Sequence, residues 1–84
     1  MKTLDHLAIS MLRCLIREYD RIEAAEDPAD PYPSTSITGS RLYGERSANR
    51  TAIALFTGVY NIDTPKGGVP DWMPTLRAIT EEAI

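Results

Sequence analysis

The chain has 84 residues, 43% of them apolar and 25% charged, with a formal net charge of −3. That length excludes a second domain, and the mix of apolar and charged residues excludes wholesale disorder, a basic nucleic-acid arm and an acidic tail. A single cysteine, Cys14, excludes an internal disulfide, so a reducing cytoplasm is the expected compartment.

Residues 3–25 contain neither proline nor glycine, and Thr3, followed by Asp5, offers a cap with early negative charge. A first helix over 3–25 is predicted. At 100° per residue Leu4, Leu7, Ala8, Met11, Leu12, Leu15, Tyr19 and Ile22 share one stripe, which Ile9 and Ile16 widen on one flank and Cys14 on the other. The resulting arc spans roughly 200°, about twice what one packed neighbour covers. The helix is therefore expected either to be central in the fold or to be covered on its second side by another copy, with Ile9, Leu12, Ile16 and Tyr19 as the oligomer interface.

Pro28, Pro31 and Pro33 end this helix, and the Ser/Thr/Gly-rich stretch after them reads as turn, so a long Pro-rich loop is predicted over 26–46. Ala48, Ala52, Leu55, Val59 and Ile62 then recur at three- and four-residue spacing, with Thr51 and Phe56 flanking the same side, which predicts a helix over 47–62. The competing reading is a short hairpin around residues 37–60, since the segment is rich in β-branched and aromatic residues. Helix is preferred because both parities of 51–60 are apolar, where a half-buried strand should be polar on one face. A turn over 63–70 and a last helix over 71–83 complete the chain, with Asp71 as cap, Pro74 in the first turn, and Met73, Leu76, Ile79 and Ala83 facing inward. The fold class expected is all-α, a three-helix small domain with a long Pro-rich loop between the first two helices; the hairpin would make it α+β.

Catalysis needs a base beside a nucleophile or a second acid. The only histidine, His6, lies on the polar side of the first helix, and Cys14 sits two turns away at the edge of the apolar stripe, where it reads as a buried structural thiol. No metal-ligand spacing and no phosphate loop are present in the sequence, so no catalytic residue, metal or cofactor is assigned. The apolar runs fall far short of the ~20 residues that a membrane span requires, and no export signal is read.

Arginine stands out, supplying seven of the nine cations. Arg13, Arg17 and Arg21 follow one another at four-residue spacing and are interleaved with Glu18, Asp20 and Glu23, a mixed-charge face on which nucleic acid is not expected. Arg41, Arg46 and Arg50 crowd the predicted start of the second helix beside Tyr43 and Ser47. There they either hold an anion, in which case Arg41, Tyr43, Arg46, Ser47 and Arg50 form a nucleotide or phosphate site, or pair with Glu45, Glu26, Asp27 and Asp30. Ion pairing is the favoured outcome. The function expected is that of a non-enzymatic binding protein, a homo-oligomeric accessory or inhibitor protein of phage or mobile-element type acting by protein–protein contact. The alternative is a phosphate-ligand binder.

Overall fold

Asp5 sets the start of the first helix. Its Oδ1 accepts the Ala8 N–H at 2.8 Å, satisfying one of the donors that a helix start leaves open, and its carbonyl accepts the Ile9 N–H at 2.9 Å as the first bond of the helix. The computed structural model describes residues 4–25 and 37–82, and Thr3 lies outside them. Helix α1 runs His6–Ala25, α2 Ile37–Val59 and α3 Val69–Glu82. Asp5→Ala is expected to cost about 1 kcal/mol and to lower the melting temperature by ~4–8 °C on thermal denaturation followed by circular dichroism. Asp5→Asn, which keeps an acceptor oxygen, is expected to retain most of that stability.

Helix α2 is longer than its apolar pattern predicts. The loop expected over 26–46 and the helix expected over 47–62 are corrected to a helix that begins at Ile37. Its Ser, Thr and Gly residues each disfavour helix by no more than ~1 kcal/mol, and tertiary contacts outweigh that penalty. Leu42 is half-buried, and Glu45 and Arg46 reach Arg21 and Glu23 of α1, so these early turns have something to pack and pair with. Residues 26–36, which hold the three prolines, lie outside the described residues, as do the carboxylates Glu26, Asp27 and Asp30.

The other end of α2 also differs, stopping at Val59 instead of residue 62. Asn61 adopts φ 55°, the left-handed region that asparagine tolerates, while Ile62 N–H returns to Thr57 O at 2.9 Å and Asn61 N–H to Gly58 O at 3.3 Å. This pair of bonds is a Schellman closure, and it places Gly58 in the last turn, where its helix penalty is least felt. The start of α3 moves two residues earlier than predicted. Gly68 O accepts the Asp71 N–H at 2.9 Å, so Asp71 lies within the first turn rather than capping it. Pro74 then falls inside the helix rather than in its first turn, and the Pro70 carbonyl loses the i+4 donor that it would otherwise have.

These elements make an all-α, three-helix domain with no strand among the described residues, and the hairpin alternative is overturned because residues 37–59 are helix. The core joins Ala8, Leu12 and Ile16 of α1 to Ile53 and Phe56 of α2 and to Val69, Met73 and Leu76 of α3. Helix α1 is the central member, packed against both others. Of the inward stripe predicted for α3, Met73 and Leu76 are buried and Ile79 half-buried, whereas Ala83 lies outside the described residues.

Polar contacts fix how the helices sit. Buried Asn49 donates from Nδ2 to the Leu15 carbonyl at 3.1 Å, tying α2 to the middle of α1. Arg13 donates to the Thr80 carbonyl at 3.0 Å, placing a cation at the negative end of α3. Arg77 grips Asp20 through two bonds, of 3.0 and 2.5 Å. The Arg77 guanidinium holds the Asp20 carboxyl below its ordinary range, so the pair stabilises the fold above the unfolded carboxylate's pKa, and this support is lost as pH falls through the depressed folded value. Both partners are about half exposed, which limits the pair to roughly 1 kcal/mol or less.

Candidate functional site

Helix α1 keeps its excess apolar arc, but on the flank opposite to Ile9 and Ile16. Leu7 is 70% exposed and Met11 47%, with exposed Cys14 beside them at the i, i+4, i+7 spacing that makes one ridge. Helix α2 supplies a second ridge. Leu55 is 64% exposed and Val59 50%, because the face that α2 turns toward α1 carries Asn49, Ile53, Phe56 and Thr57 instead. Of the predicted stripe, Ala48, Leu55 and Val59 are thus exposed, Ala52 is half-buried and Ile62 packs against the core. Helix α2 is apolar on two sides.

Between the two ridges runs a groove of about 740 Å³, walled by Leu7, Met11 and Cys14 on one side and by Ala52, Leu55 and Val59 on the other. Leu15, Phe56, Ser10 and Tyr60 complete the lining, and none of the ten residues is charged. Phe56 and Tyr60, with ring centroids 4.6 Å apart, brace the α2 side from below.

The four residues expected at an oligomer interface lie on the inner side of α1. Ile9, Leu12 and Ile16 are buried within the chain's own fold, and Tyr19 is half-buried against the core. Cys14 is corrected from buried to exposed. Exposure of His6 agrees with the helical wheel.

The arginines divide differently from the prediction as well. Because α2 starts at Ile37, Arg46 and Arg50 stand in mid-helix and not at a helix N-terminus. Arg46 bonds Glu23 at 2.8 Å and Arg50 lies 3.6 Å from the same oxygen, while Glu45 receives Arg21 at 3.2 Å and Arg41 at 3.4 Å. Arg21 also pairs with Glu18, whose carboxyl it holds below the ordinary range. Ion pairing of this cluster is thus observed, with Glu23, Glu18 and Glu45 as carboxylates. Four of the five predicted anion-site residues, Tyr43, Arg46, Ser47 and Arg50, nonetheless share one cleft with Thr51, and Arg41 is outside it.

No protein-family model, curated protein or solved structure matches the chain.

Functional assignment therefore rests on the chain's own chemistry. Among the described residues, no three or more His, Cys, Asp and Glu side chains gather as a metal site, and no helix is long and apolar enough to cross a membrane. The groove residues that sequence reasoning missed were signalled in two ways: by the width of the α1 arc, and by the apolar residues at both parities of 51–60. The sequence does not reveal which flank of each helix the neighbouring helix takes.

Proposed function

We propose that this is a non-enzymatic binding protein whose first partner is a second copy of itself, docked through the groove between α1 and α2. The observation that carries the reading is the charge-free lining combined with the exposure of Leu7, Met11, Leu55 and Val59. Removing the remaining exposure of those four side chains contributes roughly 4–5 kcal/mol per protomer. Association costs ~4–15 kcal/mol in lost freedom, so a partner with an ordinary polar surface leaves the balance unfavourable. A two-fold pair doubles the gain, because each copy brings the same ridges and the same groove.

Charge supports the same occupant. Two copies of a chain with net charge −3 repel, and that repulsion is weakest across a face without charged groups. The ridges are also shaped for close approach: Leu55 and Val59 are flanked by Ala52 and by Gly58, around which a Cβ would meet nothing within 4 Å. Ridges at these spacings seat in the grooves of a like helix pair.

The test is a double substitution, Leu7→Glu with Leu55→Glu. Both positions are exposed, so the helical circular dichroism and melting midpoint of the monomer should change little, whereas self-association should weaken by at least 100-fold, on the order of 3 kcal/mol for charges desolvated at a contact. Unchanged association of the folded variant would remove the reading.

A further inference from the structure

A second cleft, of about 260 Å³, is lined by Tyr43, Arg46, Ser47, Arg50 and Thr51. These residues lie at i, i+3, i+4, i+7 and i+8, which brings two guanidinium groups and three hydroxyls to one side of two turns of α2. No carboxylate is among the described lining residues. Glu23 of α1 serves both arginines, but its oxygen is 3.6 Å from the Arg50 guanidinium, too long for a hydrogen bond. The Arg50 Nε is buried and has no acceptor among the described residues, which costs stability.

We propose that this cleft binds the phosphoryl group of a small phosphate compound. Guanidinium forks and hydroxyl donors lining one cleft suit an anion with several acceptor oxygens, and arginine is the residue best shaped to hold one. The cleft is smaller than the ~300–1,000 Å³ of pockets that enclose whole drug-sized ligands. It thus holds the anionic group and leaves any esterified remainder outside, beside the Tyr43 ring, which is largely exposed. This inference is independent of self-association.

Thermal denaturation in inorganic phosphate, against sodium chloride of equal ionic strength, tests it. The expected result is a saturable rise in melting temperature with millimolar phosphate, absent in Arg50→Gln and reduced in the double variant Ser47→Ala, Thr51→Ala, whose exposed hydroxyls are dispensable to the fold. A parallel titration with adenosine monophosphate separates the sources. Tighter binding that falls back to the phosphate value in Tyr43→Ala identifies an ester, and equal binding identifies the free anion; either supports the phosphoryl site. Phosphorus-31 line broadening gives a second readout should Arg50→Gln melt too low to compare. No saturable shift with either ligand, or an equal shift in wild type and in both variants, would overturn the proposal.

Discussion

Ile16→Glu is expected to abolish cooperative folding, with loss of the thermal transition and of most helical circular dichroism at 25 °C. Ile16 is 8% exposed and touches the cluster in which all three helices meet. The substitution forfeits roughly 1.5–3 kcal/mol of apolar burial and adds a desolvated carboxylate costing several kcal/mol more. A domain of this size has only ~4–12 kcal/mol in hand. The same substitution at Leu55 meets solvent and should cost about 0.5 kcal/mol or less, so the pair of variants reads directly which flank of the apolar pattern is core. Were Ile16→Glu to fold normally and merely dissociate an oligomer, the helix packing described above would be wrong.

The second large effect is expected in the turn before α3. Gly67 has φ 121°, and a Cβ built there would lie 2.1 Å from Asp71 Oδ2 and 3.1 Å from its Cγ. Gly67→Ala therefore strains the backbone by about 1–3 kcal/mol and also displaces a carboxylate from the first turn of α3, where it complements the helix dipole. A fall in melting temperature of ~10 °C or more is expected. Gly68 provides the control, since a Cβ there meets only Pro70 Cδ at 3.6 Å, an ordinary contact. Gly68→Ala should shift the midpoint much less, and equal losses at both positions would contradict the assignment of strain to Gly67.

Much of the architecture was legible because its signals are local. The absence of Gly and Pro through α1, the caps and breakers around 63–71, and the mixed parity of 51–60 each depend on a few neighbouring residues, and together they predict three helices. Boundaries were less legible. The start of α2 at Ile37 depends on Glu45 and Arg46 meeting α1, a tertiary contact that outweighs weak local propensity, and no periodicity reports it. Faces were the least legible. Helix α2 carries two apolar stripes, and which one turns inward is decided by complementarity with α1, where Asn49 finds the Leu15 carbonyl and Ile53 fills the core. The larger, more regular stripe through Leu55 and Val59 was left outside. The arginine cluster was visible as a cluster, yet its setting changed once the helix start moved by ten residues from Ser47 to Ile37.

Self-association through the groove is read most directly from the mass of the native protein in solution. Sedimentation equilibrium at tens of micromolar, under reducing conditions that keep Cys14 from cross-linking, should return twice the 9.3 kDa chain mass. Attaching a bulky maleimide to Cys14, which lies in the groove wall, should return the single-chain value with the helices intact. A mass of 9.3 kDa for the unmodified protein across that concentration range would contradict the proposal that the groove is filled by a second copy.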